Sequence, residues 1–322
     1  MKVKEIKSFK YKRPTIEKGY ANHVLHINLS SSGIYIGEVP EDTKKIFIGG
    51  KGFNLWLLWN SVKPTTKWYD PENAICIASG PLGGTPIYPG SGKSIVCAIS
   101  PTTGSVMDSN VGGYFGPYLK FAGFDAMEIH GKAKNDTVIF IDGIENKIAI
   151  CEISGLPKGS HRISEELTKH FGKDNPRSIS VVSTGQGAKN TLIGCLNFSW
   201  HDSKRKKVRH KQAGRGGMGT VFADKGIKAI VVRWDGVTIK TNNPADEAEL
   251  KEVGRAHSQE IAELDKKQNE MSIVGTGHLV TILCRSRDLI KAKKFLLTVR
   301  STKQLPLAVP ISAFLTLIRF WK

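Results

Sequence analysis

Asn110-Val-Gly-Gly-Tyr-Phe-Gly-Pro-Tyr-Leu-Lys-Phe-Ala-Gly-Phe-Asp-Ala-Met-Glu128 and Ala213-Gly-Arg-Gly-Gly-Met-Gly-Thr-Val-Phe-Ala-Asp-Lys-Gly-Ile-Lys-Ala-Ile-Val231 are the two stretches whose comparison decides the fold. A constant offset of 103 carries Gly113 onto Gly216, Gly116 onto Gly219, Gly123 onto Gly226 and Ala126 onto Ala229. Each stretch then enters an apolar run that reads as a strand, Ala126–Ile129 and Ala229–Val232. Glycines recur in this way where the backbone passes too close to a neighbour or ligand for a Cβ, or takes a positive φ. The pattern predicts an internally duplicated chain with two related glycine loops, serving one shared ligand or each other.

Outward from these stretches, short apolar runs bounded by Gly, Pro and Ser predict strands. His23–Leu29 and Ile34–Val39 form one hairpin; Thr137–Ile141 and Lys147–Ile153 form another around Asp142-Gly143. Ala74–Ser79 and Ser94–Ile99 are echoed by Ser178–Ser183 and Leu192–Phe198. Helical periodicity marks Lys51–Asn60, Tyr114–Phe121, Ile163–Phe171 and Asp246–Lys267. The predicted class is α+β, internally duplicated, with two related β-sheets and short helices. Residues 1–19 read as a basic N-terminal extension, 20–240 as one cofactor-sized domain, and 241–288 as the start of a helical region. Residues 289–322 form an atypical tail whose apolar part has no assignable period, as after a truncation or frame change.

The chain of 322 residues has a formal net charge of +18, and much of it is local. Lys204-Arg-Lys-Lys-Val-Arg-His-Lys211 stands just before the second glycine loop. A basic run leading into exposed backbone amides suits a polyanion, either the phosphates of a cofactor or nucleic acid; a solvated basic loop explains the same run. Five widely spaced cysteines contain no CxxC pair, which excludes a zinc ribbon and a secreted disulfide framework and leaves buried small hydrophobes. The start has no apolar h-region and no stretch reaches the ~20 apolar residues of a spanning helix, so a cytoplasmic, non-membrane protein is expected. His170, His201, His210, His257 and His278 are scattered and read as surface residues, and no nucleophile–base set or facing carboxylate pair is legible.

Two motifs fail on inspection. Tyr88-Pro-Gly-Ser-Gly-Lys-Ser94 resembles the end of a P-loop but has Ile87 where the first glycine is required. Gly214-Arg-Gly-Gly-Met-Gly219 has the letters of a dinucleotide fingerprint, but a basic run precedes it instead of a buried strand, and the helix it would open is too short.

Taken together, Gly80-Pro-Leu-Gly-Gly-Thr85, Pro89-Gly-Ser-Gly-Lys93, Asn110-Val-Gly-Gly-Tyr-Phe-Gly116, Leu119–Asp125, Ala213–Gly219 and Asp224–Val232 resemble, in order and spacing, the aldehyde:ferredoxin oxidoreductase family. The resemblance covers residues 20–288 and the N-terminal, cofactor-cradling domain. It implies a tungsten or molybdenum ion held by two pterin cofactors, with Mg²⁺ bridging the pterin phosphates. It also implies oxidation of an aldehyde to a carboxylic acid with ferredoxin as electron acceptor. By position, Asn110 matches the side-chain Mg²⁺ ligand, and Gln212 the residue completing that site through its backbone. Lys93 and Lys211 stand where arginines meet the pterin phosphates; lysine keeps the charge and loses the bidentate fork. Gly112, Gly214, Arg215 and Gly216 match the remaining loop contacts. The family's [4Fe–4S] cysteines and proposed catalytic groups belong to a C-terminal half with no counterpart here. The resemblance therefore implies an incomplete enzyme, inactive alone, or one completed by a separately encoded half. The alternative is a non-catalytic fragment whose basic surface binds nucleic acid or another polyanion.

Overall fold

The computed structural model describes residues 1–267 and 271–275. The chain forms two compact units, residues 1–252 and 253–322. The first contains thirteen strands: β1 (Lys2–Lys10), β2 (His23–Asn28), β3 (Gly33–Glu38), β4 (Ile75–Ala78), β5 (Ser94–Ile99), β6 (Val106–Val111), β7 (Ala126–His130), β8 (Thr137–Asp142), β9 (Lys147–Ser154), β10 (Ile179–Ser183), β11 (Leu196–Asp202), β12 (Lys207–Ala213) and β13 (Ile227–Arg233). Its helices are α1 (Glu41–Phe47), α2 (Lys51–Ser61), α3 (Phe115–Phe121), α4 (Ser160–Gly172) and α5 (Met218–Asp224), and α6 (Glu247–Lys267) begins within it. In the second unit the described residues are the remainder of α6 and α7 (Met271–Val274), where the Ser272 hydroxyl donates to Asp265. The tail predicted for 289–322 and most of the segment 268–288 lie outside the described residues.

The duplication is written in the topology. One sheet runs β3-β2-β7-β4-β5-β6; the other runs β1-β9-β8-β13-β10-β11-β12. Adding six to every label of the first gives the second, with β1 as an extra edge. Each has one parallel pair at the corresponding place, β2 with β7 and β8 with β13, while the other neighbours are antiparallel. The short helices follow the same rule, because 115–121 plus the sequence offset of 103 is 218–224. The basic segment 1–19 supplies β1, which pairs antiparallel with β9 from Lys2↔Ser154 to Lys10↔Lys147 and has no counterpart in the other sheet.

Burial explains why these runs became strands. β4 and β10 are buried at every position because both faces of each sheet are covered. The inner faces share one core, with Leu25, Ile27, Ile75, Ile77, Ile139, Val182, Phe198 and Ile230 packed around Phe115, Leu119, Val221 and Phe222 of α3 and α5. On one outer face α2 packs Phe53, Leu57 and Leu58 onto Cys76, Ala78 and Cys97. On the other, α4 places Ile163 and Leu167, one turn apart, onto Ile179, Val181, Ala229 and Val231. Cys76, Cys97 and Cys151 are buried and Cys195 is half-buried; Cys284 lies outside the described residues. No helix among the described residues is long and apolar enough to cross a membrane.

Two elements depart from the sequence reading. The run 204–211 is more than a solvated loop: it builds most of β12, an exposed edge strand in register with β11 from Leu196↔Ala213 to Asp202↔Lys207. Its charges suit an edge, since lysines there oppose pairing with another chain. The strand expected over 192–198 begins only at Leu196, because Leu192 and Ile193 are exposed, with Thr191 and Gly194 committed to Thr220.

Candidate functional site

The two glycine loops meet where the last strands of the two sheets, β6 and β12, come together. The Arg215 amide donates to the Ser109 hydroxyl at 3.1 Å. A Cβ on Gly112 would lie 4.0 Å from Cγ of Lys211, and one on Gly113 would lie 3.9 Å from the Trp200 ring. The Tyr114 and Trp200 rings are 6.4 Å apart across the junction. A Cβ on Gly216 would press on Met107 of β6 at 2.9 Å. Lys93 borders the first loop, because its neighbour Gly92 packs against the Gly113 carbonyl so closely that a Cβ there would be 2.8 Å from the oxygen. Lys93, Gly112, Lys211, Arg215 and Gly216 are thus brought to one junction, with Gly214 between the last three.

Strand alternation sorts the side chains on this junction. On β6, Ser109 and Val111 face the shared core, whereas Asp108 faces α2, where Lys51 pairs with it at 2.7 Å. Asn110 is the next residue on the Asp108 face, and it is exposed. On β12, Ala213 joins the core and Lys211 lies on the same side; His210 and Gln212 face α4. The Gln212 amide donates to Asn197 Oδ1 at 3.2 Å, and Asn197 in turn donates to Ser160 at 2.7 Å. The side chains of Asn110 and Gln212 therefore leave on the two outer faces, and the Gln212 amide is committed to its own sheet. Their places are equivalent in the duplication: each is the penultimate residue of its strand, opposite Ile95 and Asn197.

Charge gathers at the junction. Lys93, Lys211 and Arg215 are exposed, and among the described residues no carboxylate lies within ion-pairing distance of them. The hydrogen bond that Lys51 donates to Asp108 holds its ammonium above the ordinary range, with Arg215 pulling weakly the other way. Farther along the hairpin Asp202 accepts from Arg205 at 2.9 Å and lies 3.5 Å from Arg209, so part of the basic run is neutralised internally. The Asp202 carboxyl is held below its usual range by the same Arg205 hydrogen bonds.

The glycines separate into two kinds, and this tests whether a ligand fits. Gly113, Gly216 and Gly217 have φ of 126°, 67° and 65°, which the chain itself requires. Gly112 and Gly214 are absent from the positive-φ set; a Cβ on Gly214 would meet no protein atom within 4 Å, and one on Gly112 would touch only the flexible Lys211 side chain, at 4.0 Å. Nothing in the fold needs glycine at either place, and the space a Cβ would take stays open beside three cations. That donor set, hard cations and main chain without thiolate or imidazole, suits phosphate groups. Among the described residues no cluster of three His, Cys, Asp or Glu side chains could hold a metal ion directly.

Two features escaped the sequence reading. His210, read as a surface residue, stacks on His161 with centroids 4.1 Å apart and an interplanar angle of 14°. Its Nδ1 is buried without a partner, and burial pushes the ring down to about 4 with a smaller contribution from His161. His161 lies in the first turn of α4, as Lys51 does in α2, and His210 stands two residues before Gln212 as Asp108 stands two before Asn110. The duplication has exchanged an ion pair for a ring stack, which only tertiary alignment of the halves reveals. The second feature is a fully buried lysine, Lys120. The dinucleotide-like letters at Gly214–Gly219 do follow a strand, but it is an exposed antiparallel edge, and the helix after it has seven residues.

Comparison with known proteins agrees with this architecture. Residues 24–234 match the family model described as aldehyde ferredoxin oxidoreductase, N-terminal domain. A tungsten-containing aldehyde ferredoxin oxidoreductase of Pyrococcus horikoshii is 31% identical over 268 residues, 82% of this chain and 41% of the relative. The enzyme of the same name from Pyrococcus furiosus is 34% identical over 213 residues, 65% of this chain and 32% of its own. The WOR-like subunit of an aliphatic sulfonate oxidoreductase from Pyrococcus furiosus is 31% identical over 67% of this chain. Among solved structures, the active-site complex BamBC of benzoyl coenzyme A reductase with 1,5-dienoyl-CoA superposes with a TM-score of 0.60 at 29% identity, covering 68% of this chain and 31% of that one. The chain belongs to the aldehyde ferredoxin oxidoreductase family, and residues 24–234 are its N-terminal domain. It spans less than half the length of these relatives.

Proposed function

We propose that the β6–β12 junction cradles a tungsten or molybdenum ion carried by two pterin cofactors, one glycine loop serving each. The observation that carries this reading is the meeting of two topologically equivalent loops beside Lys93, Lys211 and Arg215, with open space at Gly214 and only the Lys211 side chain beside Gly112. Lys93, Lys211 and Arg215 would neutralise the pterin phosphates, and the glycines let main chain approach them. Asn110 through its side chain, and Gln212 through its main chain, would hold a Mg²⁺ between those phosphates; the commitment of the Gln212 amide to Asn197 accords with a main-chain role. When bound, such a cofactor supplies two-electron redox chemistry and Lewis acidity. This chain's own residues bind and orient it.

The reaction proposed for the whole enzyme is oxidation of an aldehyde to a carboxylic acid with ferredoxin as acceptor, as the names of the relatives describe for them. Ligands of a [4Fe–4S] cluster and the groups that act on substrate would come from the C-terminal half of such an enzyme, while residues 24–234 bind and orient the cofactor. A cytoplasmic setting fits that chemistry. Equilibrium binding of inorganic pyrophosphate to the full chain tests the cradle. Lys211→Ala, an exposed substitution, weakens binding about tenfold, while equal affinity in the variant would refute the assignment. The hairpin tip Ser203–Lys207, with Lys204, Lys206 and Lys207 exposed, favours a second reading in which a polyanion such as nucleic acid binds there. Salt-sensitive RNA binding that survives Lys211→Ala and is lost on neutralising the tip would support that reading.

A further inference from the structure

Lys120 of α3 is completely buried, and its ammonium donates to the main-chain carbonyls of Gly80 (2.7 Å), Pro81 (2.9 Å) and Gly83 (2.9 Å) and to Asn242 Oδ1 (3.2 Å). Asn242, itself 1% exposed, closes the other side by donating to the Pro81 carbonyl at 2.7 Å and to Thr85 Oγ1 at 3.0 Å. Four oxygens of one small turn and its neighbour therefore converge on a single monovalent cation. Asp125, buried beside it, accepts from the amides of Ala21 and Asn22 and supplies the nearest opposite charge. A lysine is rarely placed so deep without a carboxylate in direct contact, because desolvation of the ammonium is costly. Burial does push Lys120 down, to about 7, with Asp125 pulling back upward. The carbonyl dipoles all favour the charged form.

The turn it grips leads to the junction. The Gly84 amide donates to the Ser91 carbonyl at 2.8 Å, and Gly84 lies against the Phe121 ring so that a Cβ would meet Cε2 at 2.9 Å. Ser91 is followed by Gly92, which abuts Gly113, and by Lys93. A continuous line of contacts thus runs from the Lys120 ammonium through Gly80–Gly84 and Ser91 to Lys93 and the first glycine loop.

We propose that Lys120 is a positioning residue, a built-in monovalent cation whose carbonyl cage fixes the Gly80–Thr85 turn and, through it, the seat of Lys93 beside Gly113. The step from cage to Lys93 rests on the cradle reading above; the cage itself does not.

The test is chemical rescue in the full chain. Lys120→Ala leaves an oxygen-lined cavity that an ion of similar size, potassium, ammonium or methylammonium, can enter, whereas Lys120→Met fills the space with an apolar stem. The thermal midpoint of Lys120→Ala should rise by about 5 °C when such an ion is in about hundredfold excess over its Kd. Neither Lys120→Met nor wild type should respond beyond a choline chloride control of equal ionic strength. Where Lys120→Ala is recovered only as aggregate, the yield of soluble protein on refolding in methylammonium against choline gives the same answer. Identical response to all cations, or no recovery, overturns the proposal. Pyrophosphate affinity, weakened about tenfold in Lys120→Ala, should return with the ion. If stability is rescued while pyrophosphate affinity is not, the cage stands and its link to Lys93 fails. If wild type itself binds no pyrophosphate, the cradle reading fails while the stability arm still decides the cage.

Discussion

Gly214→Ala and Gly219→Ala separate a glycine that the fold needs from one that only a ligand needs. Gly214 is not in the positive-φ set, and a Cβ there meets no protein atom inside 4 Å. Replacing it removes unfolded-state freedom and introduces no clash, so stability should stay level or rise by about 0.4–1 kcal/mol. Gly219, five residues on, packs α5 against main chain: a Cβ would be driven into the Cys195 carbonyl, 2.6 Å from its carbon and 2.9 Å from its nitrogen. Neither backbone can yield without disturbing the shared core, since Met218, Val221 and Phe222 on the same helix are fully buried. That overpacking should cost about 3 kcal/mol or more, or about 6–12 °C in the thermal midpoint for a unit of this size. Thermal denaturation of the apoprotein reads the first effect, and pyrophosphate binding or cofactor content reads the second. Gly214→Ala should melt like wild type yet bind several-fold more weakly, because its methyl group occupies the approach. A Gly214→Ala protein that is destabilised by several degrees, or that binds as wild type does, would refute the division of the glycines made above.

Three further outcomes follow from single residues. Ile48 has φ of 60° and ψ of -45°, a conformation that a β-branched side chain adopts only under strain, and it is 61% exposed; Ile48→Gly should stabilise by about 1 kcal/mol in chemical denaturation. The His210 ring resists protonation until about pH 4 when folded and takes its proton near 6.5 when unfolded, so its contribution is complete above 6.5 and is lost as pH falls from 6.5 toward 4. The loss is below about 3 kcal/mol because the ring is partly in water, and His210→Phe should flatten the fall of the thermal midpoint over that window. Asn73, completely buried, joins the Ile99 amide (2.8 Å) and carbonyl (3.1 Å) to the Trp68 carbonyl (2.7 Å); Asn73→Ala should cost about 2–4 kcal/mol by urea denaturation, since it strands buried main-chain groups.

The duplication was legible because both copies kept their glycines, and glycine is retained where geometry forbids a Cβ. Gly219, Gly216 and Gly123 are such places, and their spacing in the sequence is enough to align α3 with α5. The apolar runs 74–79 and 178–183 were equally plain, being buried on both faces. The edge strand β12 was hidden because Lys207, Arg209 and Lys211 have one face in water, and a charged edge carries no hydrophobic period. β6 was hidden similarly, since its alternation of Met107, Ser109 and Val111 with Asp108 and Asn110 is masked by the small polar residues. Of the candidate site, Lys93, Lys211, Arg215 and the glycines lie at one junction. Asn110 and Gln212 proved equivalent in strand position but divergent in side-chain direction, which follows from strand alternation. Lys120 could not have been found from sequence, because its partners are main-chain carbonyls forty residues upstream that leave no residue-type signature.

The count of pterins per chain tests the central claim most directly. The full chain, produced in cells supplied with tungstate and competent in pterin synthesis, should carry two pterins and one tungsten or molybdenum atom, one pterin for each repeat of the duplicated loop. Protein that retains neither metal nor pterin under those conditions, or that holds a single pterin unaffected by Gly214→Ala, would contradict the account.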